Sequence, residues 1–225
     1  MINVDYVTIT FPDIDIKPSD IPKLRGYFAR KFPQEHLFHN HLPDNTFSYK
    51  YPSIQYRVLG NKPTLLGINE GIDLIFKTFL KVDSIDINGK ILETEGEMHS
   101  HKSKLGVSDQ IYSYRFVSPW MGLNEKNHRE YIKLSDIQKM NRLRQILRNN
   151  LKTLSKGFGY WIKDFNNVEV DGWFEPVQVN FKNLKMICFK GDFKTNFAIP
   201  NYLGIGKQCA RGFGAVKRIG GNNDS

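Results

Sequence analysis

Over residues 2–87 the apolar pattern changes period in a fixed order, and that order restricts the fold more than any single motif. Ile2, Val4, Tyr6, Thr8 and Thr10 alternate with Asn3, Asp5, Val7, Ile9 and Phe11, the two-residue period of a strand. Pro18-Ser19-Asp20 offers a helix start. Ile21, Leu24, Tyr27, Phe28 and Phe32 then recur at helical spacing as far as Pro33. A polar, histidine-rich loop covers Gln34 to Asn45. Phe47 to Leu59 is aromatic and β-prone, with Pro52 marking an edge or a bulge. Asn61-Lys62-Pro63 predicts a turn and Thr64 to Ile68 a short strand. Glu70 to Leu80 places Ile72, Ile75, Phe76 and Phe79 on one helical face, and Val82 to Ile87 is a further strand ended by Asn88-Gly89.

The order β-α-β-β-α-β predicts an α+β chain with a ferredoxin-like split βαβ domain: an antiparallel sheet with two helices on one face. The second half is less regular. Strands are expected at Ile91 to Lys102 and Gln110 to Pro119 around a turn at Gly106. An irregular connection follows over 119–134. A long helix capped by Ser135-Asp136 runs to about Lys156 and is ended by Gly157-Phe158-Gly159. Further strands are expected at Val177–Phe181, Lys185–Phe189, Phe193–Ile199 and Phe213–Ile219. The reading is two tandem ferredoxin-like domains, 1–90 and 91–225, the second degenerate and carrying a C-terminal glycine-rich loop.

That loop reads Gly204-Ile205-Gly206-Lys207-Gln208-Cys209-Ala210-Arg211-Gly212-Phe213-Gly214. Glycine permits positive φ and close backbone approach, while Lys207 and Arg211 add positive charge. A dinucleotide fingerprint is excluded, because its third glycine position is Cys209 and too little chain follows for a crossover unit. A Walker A loop is excluded because Asn201 and Gln208 stand where glycine and Ser or Thr are needed. A phosphate-bearing polymer remains as the partner for Gly204, Gly206, Lys207, Arg211, Gly212 and Gly214.

Net charge is +9, which favours an anionic partner. The surplus is concentrated. Ile137 to Lys163 holds seven basic residues and no acid, and Arg144, Arg148, Lys152 and Lys156 fall four apart on one helical stripe. Met140, Leu143, Leu147, Leu151 and Leu154 form its apolar face. Two readings stand: a solvated face, or a contact surface for phosphates. Cys188 and Cys209 supply neither a disulfide framework nor metal-ligand spacing. The first residues carry no signal-peptide pattern, and no apolar run approaches the roughly 20 residues of a membrane span. The expectation is a soluble cytoplasmic protein without membrane contact and with no cofactor.

His36-Leu37-Phe38-His39-Asn40-His41 puts three histidines in six residues, followed by Phe47-Ser48-Tyr49-Lys50-Tyr51-Pro52-Ser53-Ile54-Gln55-Tyr56-Arg57. No Cys, Asp or Glu cluster accompanies the histidines as metal ligands. At these residues the chain resembles a known family. The Gly-Ile-Gly…Gly-Phe-Gly segment resembles the signature loop of the RAMP-type CRISPR-associated proteins. The His39-Asn40-His41 loop, the tyrosine run from Tyr49 to Arg57 and Leu66-Gly67-Ile68-Asn69-Glu70-Gly71 resemble one branch, the subtype-B-like CRISPR repeat-specific endoribonucleases. The likeness covers most of the first 80 residues and the last 25.

The resemblance implies metal-independent cleavage of precursor CRISPR RNA within the repeat. The ribose 2′-hydroxyl attacks the adjacent phosphate, leaving a 2′,3′-cyclic phosphate and a 5′-hydroxyl. Such chemistry needs a base, an acid and charge stabilisation, and histidine titrates where both roles are available. The family's active histidine maps onto His39 or His41, and its tyrosine onto Tyr49 or Tyr51. With a pKa near 10, Tyr49 is better suited to orienting the phosphate or the 2′-hydroxyl than to acting as a base. Lys50 is a candidate for offsetting charge, although strand alternation turns it away from Tyr49. Arg144, Arg148, Lys152 and the glycine loop are the candidate RNA contacts. Repeat RNA is the implied partner; CRISPR effector subunits and a second copy of the chain stay open. A non-catalytic RAMP subunit that binds guide RNA is the alternative, since such a subunit keeps the glycine loop and needs no histidine–tyrosine set. His36, His99, His101 and His128 are read as non-catalytic.

Overall fold

A computed structural model describes residues 1–39, 51–87 and 89–220. The chain forms two compact units. The first comprises Asp5–Lys102 with Ala210–Gly212, and the second Met1–Val4, Ser103–Cys209 and the residues from Phe213 onward.

In the first unit the predicted order of elements is present. Strand β1 (Ile2–Thr10) is followed by a single 3-10 turn at Pro18–Asp20 and helix α1 (Ile21–Lys31). A one-turn helix α2 (His36–His39) precedes strands β2 (Ile54–Leu59) and β3 (Lys62–Ile68). Helix α3 (Glu70–Thr78) then leads through a 3-10 turn to β4 (Ser84–Ile87). The β2–β3 hairpin closes at Leu59↔Lys62, with Gly60 and Asn61 at φ 56° and 66°. Two positive φ values give the tight turn whose twist suits a hairpin, and glycine and asparagine adopt them at least cost. Both β1 and β2 pair antiparallel with β3.

The fourth strand differs from the reading of the sequence. β4 forms a separate hairpin with β5 (Lys90–Glu93), and the place beside β1 is taken by the start of a long strand β6 (Glu97–Phe116). Thr8 and His101 meet there, Oγ1 to Nε2, at 2.9 Å. The core is the inner face of this sheet against the helices: Ile9 of β1 and Phe11 just after it pack with Leu24 and Phe28 of α1, Phe38 of α2, Tyr56 of β2 and Ile75 of α3. Each fully buried side chain of this size contributes about 1.5–3 kcal/mol.

In the second unit β6 runs unbroken through Gly106, whose φ of 124° accompanies a register shift between Val107 and Tyr112. The turn expected at Gly106 is therefore an irregularity inside one strand, as bulges allow. A short helix α4 (Glu125–Tyr131) occupies the stretch expected to be irregular. Asn124 caps it by accepting from the Asn127 N–H at 2.6 Å. Helix α5 (Asp136–Gly157) begins where Ser135 predicts, with the Gln138 side chain accepting from the Ser135 N–H at 3.0 Å. Its buried stripe is Leu143, Ile146, Leu147, Leu151 and Leu154.

The three expected strands after α5 are one hairpin, β7 (Val170–Phe181) with β8 (Leu184–Ala198), paired along its whole length. A last strand β9 (Val216–Ile219) pairs with β6 on the side opposite β8. The sheet order β7-β8-β6-β9 is that of a ferredoxin-like sheet, with β6 as its first strand and β9 as its fourth. The second helix of that pattern is missing. Residues between β8 and β9, the glycine-rich segment among them, stand in its place. Trp120 is fully buried at the centre of this unit, among Phe116, Phe174 and Phe189.

Candidate active site and nucleic-acid interface

The histidine segment is positioned by α1 and β2. α2 follows α1 after four residues and buries Phe38 against Phe28, with ring centroids 5.3 Å apart. That anchor fixes the turn ending at His39. The Phe38 carbonyl accepts from Arg25 Nε at 3.4 Å and from the Tyr56 hydroxyl at 3.5 Å. The Tyr56 ring is buried, which raises its pKa well above the ordinary phenol value and keeps it a donor. The side chain of His39, together with His41, Tyr49 and Lys50, lies outside the described residues. Tyr51 is half-buried, and His36 is exposed at the start of α2.

Residues 210–212 of the glycine-rich segment belong to this first unit. Tyr56 N–H donates to the Ala210 carbonyl at 3.3 Å, and Tyr56 and Arg211 form a parallel bridge. Gly212 has φ 88°, a left-handed value that favours glycine, and it sits against Ile21 of α1, where a Cβ would lie 2.2 Å from Cδ1 and push that methyl aside. Arg211 is half-buried, and burial holds its guanidinium below its usual range. Arg25 is shifted in the same direction by burial first and then by the positive charge of Arg211. Arg25 is a residue that sequence reading missed. The available signal was a charge one turn after Ile21, next to Leu24, on the apolar face of α1.

The rest of the segment belongs to the second unit and is held by its own backbone. Ile205 N–H donates to the Gly214 carbonyl at 2.9 Å, Gly214 N–H to the Pro119 carbonyl at 2.9 Å, and Lys207 N–H to the Met121 carbonyl at 3.0 Å. Gly204 and Gly214 are buried and Gly206 packs on Trp120, whereas Lys207 and Gln208 are exposed. Phe213 packs edge-on to Phe181 with centroids 5.5 Å apart. Most of the glycines thus serve close backbone packing, and the exposed charge is that of Lys207.

The α5 stripe divides in two. Arg144 is tied to β7, donating from Nε to the Gly172 carbonyl at 3.1 Å and pairing with Asp171 at 3.0 Å. Arg148 donates to the Phe165 carbonyl and lies over that ring at 4.5 Å. Lys152 and Lys156 are exposed, with their ammonium groups over Phe165 at 4.8 Å and Trp161 at 5.4 Å. An open cleft of about 570 Å³ beside the first half of α5 is lined by Gln138, Asn141, Arg142, Arg144, Gln145 and Arg148, with no carboxylate. Arg142 was not singled out from the sequence; it lies outside the four-residue stripe and pairs with Glu130 at 2.7 Å. Trp161 and Trp173 are about 70% exposed, at 72% and 67%, and they too carried no sequence signal beyond composition.

His99 and His101 lie on β6 with ring centroids 6.4 Å apart. His101 stacks on Tyr6 at 4.5 Å and is a packed side chain. Among the described residues no three of His, Cys, Asp and Glu cluster in a way that would hold a metal ion. No helix among them is long and apolar enough to cross a membrane.

Two family models together span residues 2–219. The model of the Cas6b N-terminal domain matches residues 2–114, and that of the Cas6b C-terminal domain matches residues 106–219. The chain is similar to a solved crystal structure of Cas6b, with a TM-score of 0.92 and 37% identity over 97% of this chain and 100% of that one. It is similar to a second structure, described as CRISPR RNA processing endoribonuclease Cas6b, with a TM-score of 0.79 and 32% identity over the same shares, 97% and 100%. An uncharacterized protein of Methanocaldococcus jannaschii is 35% identical over 141 residues, 62% of this chain and 95% of the relative. The type IV Cas6 crRNA endonuclease Csf5 shares the fold, with a TM-score of 0.58 at 9% identity over 97% of this chain and 100% of that one.

Proposed function

The chain belongs to the Cas6b family, and from that premise we propose that it is an endoribonuclease that cuts precursor CRISPR RNA within the repeat, without a metal ion. The observation that carries the reading is the seating of the turn ending at His39. Its Phe38 carbonyl is held by Arg25 and Tyr56, and Tyr56 also holds the segment bearing Arg211. A histidine-bearing turn and two cations in one unit supply the parts that RNA transesterification needs.

In this reading one of His39 and His41 takes the proton of the ribose 2′-hydroxyl as O2′ bonds to phosphorus. The other gives a proton to the departing 5′-oxygen, leaving a 2′,3′-cyclic phosphate and a 5′-hydroxyl. Tyr49 orients the phosphate or the 2′-hydroxyl, and Lys50 offsets charge on the non-bridging oxygens. The second unit holds the RNA through Lys152, Lys156, Lys207 and the basic cleft beside α5. A-form RNA is read by its shape and phosphates, which suits a cleft lined by donors.

The test is incubation of the protein with repeat RNA in EDTA, beside a copy bearing one 2′-deoxy nucleotide 5′ of the cut. Cleavage of the first and survival of the second is the expected result. Cleavage that requires added metal, or that proceeds through the 2′-deoxy nucleotide, contradicts the mechanism. Tight binding with no cleavage of either contradicts the enzyme.

A further inference from the structure

The segment Leu66-Gly67-Ile68-Asn69-Glu70-Gly71 supplies no residue of the proposed chemistry, yet it is built with care. It is the turn from β3 into α3, and it closes on Ser53, the residue just before β2. Ile68 N–H donates to the Ser53 carbonyl at 2.9 Å, and the Ser53 hydroxyl donates to Glu70 Oε1 at 2.7 Å. A Cβ on Gly71 would lie 2.2 Å from the Ser53 carbonyl oxygen, and one on Gly67 would lie 2.7 Å from the Gly71 carbonyl oxygen. Both contacts are to backbone, which cannot swing aside as a side chain can, so both positions are held to glycine. Asn69, between them, has φ 49° and ψ −129°, a conformation that strains any residue with a side chain. Two hydrogen bonds, two close backbone approaches and one strained residue thus meet around Ser53, which is 6% exposed.

Ser53 follows Tyr49 by four positions and Tyr51 by two. Its neighbour is held as well: the Pro52 carbonyl accepts from Gln55 Nε2 at 3.2 Å. The histidine and tyrosine positions of the proposed chemistry therefore lie between two fixed points of the first unit. One is Phe38, seated on Phe28 and held through its carbonyl by Arg25 and Tyr56. The other is Ser53. A strand entry needs only its ladder bonds, and the Ser53–Glu70 bond is additional to them. Misplacing a reacting group by about 1 Å can cost a hundredfold in rate, so an added restraint at this point has a use in catalysis. We propose that Ser53 and Glu70 are positioning residues for the cleavage step, their hydrogen bond fixing the chain at the end that bears Tyr49 and Tyr51. The role rests on the nuclease reading above; the clamp itself rests on the geometry of the first unit. Neither residue touches RNA in this account, and neither moves a proton of the reaction. Glu70 acts only as an acceptor for the Ser53 hydroxyl.

The test compares Ser53→Ala, Glu70→Ala, Glu70→Gln and the double alanine variant with wild type. Three quantities are read: the single-turnover rate on repeat RNA, the affinity for a fully 2′-O-methyl copy that cannot be cut, and the urea midpoint. Each alanine variant should cleave about tenfold more slowly, the scale of one hydrogen bond to a charged group. Each should bind the uncleavable copy within about threefold of wild type, so that the loss falls on the chemical step. The double variant should be no slower than the slower single one, because the same bond is lost in all three. Glu70→Gln keeps an acceptor oxygen and should cleave within about threefold of wild type, with an unchanged pH–rate profile. Glu70 is exposed, so Glu70→Ala and Glu70→Gln carry the test if Ser53→Ala does not fold. Wild-type rates in the alanine variants overturn the positioning role, including where the urea midpoint alone falls. Losses that multiply in the double variant, a matching loss of affinity, or a Glu70→Gln variant as slow as Glu70→Ala overturn it too. A wild type that cuts no repeat RNA overturns the nuclease reading, and the positioning role with it.

Discussion

Gly214 has φ 67°, and a Cβ there would come within 2.0 Å of the Ile205 carbonyl oxygen. Left-handed backbone alone costs a non-glycine residue about 1–3 kcal/mol, and the clash adds to it. Gly214→Ala is therefore expected to lower stability by at least about 2 kcal/mol, read from urea denaturation of the full chain; a change below about 0.5 kcal/mol, the level of an ordinary surface substitution, would contradict the packing role. His101 is a second residue with a definite expectation. It stacks on Tyr6 and bonds Thr8. Burial first, and His99 second, hold its pKa below the ordinary 6.5. The folded state thus disfavours the protonated ring. Its contribution is fully present above about pH 6.5 and is lost as pH falls through and below that value. The urea midpoint should fall between pH 7.5 and pH 5 more in wild type than in His101→Gln; equal falls would sink the assignment. Gly214 and Arg25 show where sequence reading stops. Gly214 was visible as glycine, but its reason, a carbonyl from nine residues earlier, is tertiary. Arg25 was hidden because helical periodicity sorts residues by face and does not say which loop arrives at that face.

Among the elements, α1 and α5 were legible because each carries an apolar stripe at helical spacing with a start signal; α3 was legible as a helix, but its buried residues are Gly71, Leu74, Ile75 and Thr78, and Phe76 of the expected face is exposed. α4 was not legible, since seven residues with only an asparagine cap give little periodicity. β4 was legible as a strand, but its partner was not. Local alternation marks a strand and leaves its neighbour to long-range packing, so the place beside β1 goes to β6 while β4 turns back on β5. The Asn88-Gly89 pair between them is a hairpin signal that alternation alone does not weigh. α5 shows a similar split between pattern and role. Its four-residue stripe is uniform in sequence, yet Arg144 and Arg148 are bound to β7 and to Phe165, while Lys152 and Lys156 face outward. Replacing both arginines is therefore expected to cost stability as well as affinity. Lys152→Ala with Lys156→Ala should weaken repeat binding with little change in melting. Each lost phosphate contact should reduce the slope of log affinity against log salt by about 0.7–0.9. An unchanged slope would remove α5 from the RNA interface.

At the scale of the molecule, each unit varies the ferredoxin-like plan in its own place: the first in its fourth strand, the second in its second helix. The first keeps both helices of the ferredoxin-like pattern, and the second gives the place of its second helix to the glycine-rich segment. That replacement explains a segment so rich in glycine near the chain's end. It must thread between strands without a helix's own hydrogen bonds, and it finds them in Pro119, Met121 and Tyr56. Composition and charge distribution pointed to an anionic polymer, and the family match agrees with the motif-based expectation. The proposed chemistry centres on residues 39–50, of which only the backbone turn ending at His39 is described. The central claim is that histidines in this segment cleave RNA, and it is tested most directly by single-turnover cleavage of repeat RNA by His39→Ala and His41→Ala. The account predicts that at least one variant cleaves about 10²–10⁴-fold more slowly, the scale of a lost general acid or base, while binding uncleavable repeat RNA within about threefold of wild type, under 1 kcal/mol. Wild-type cleavage rates in both variants would contradict it.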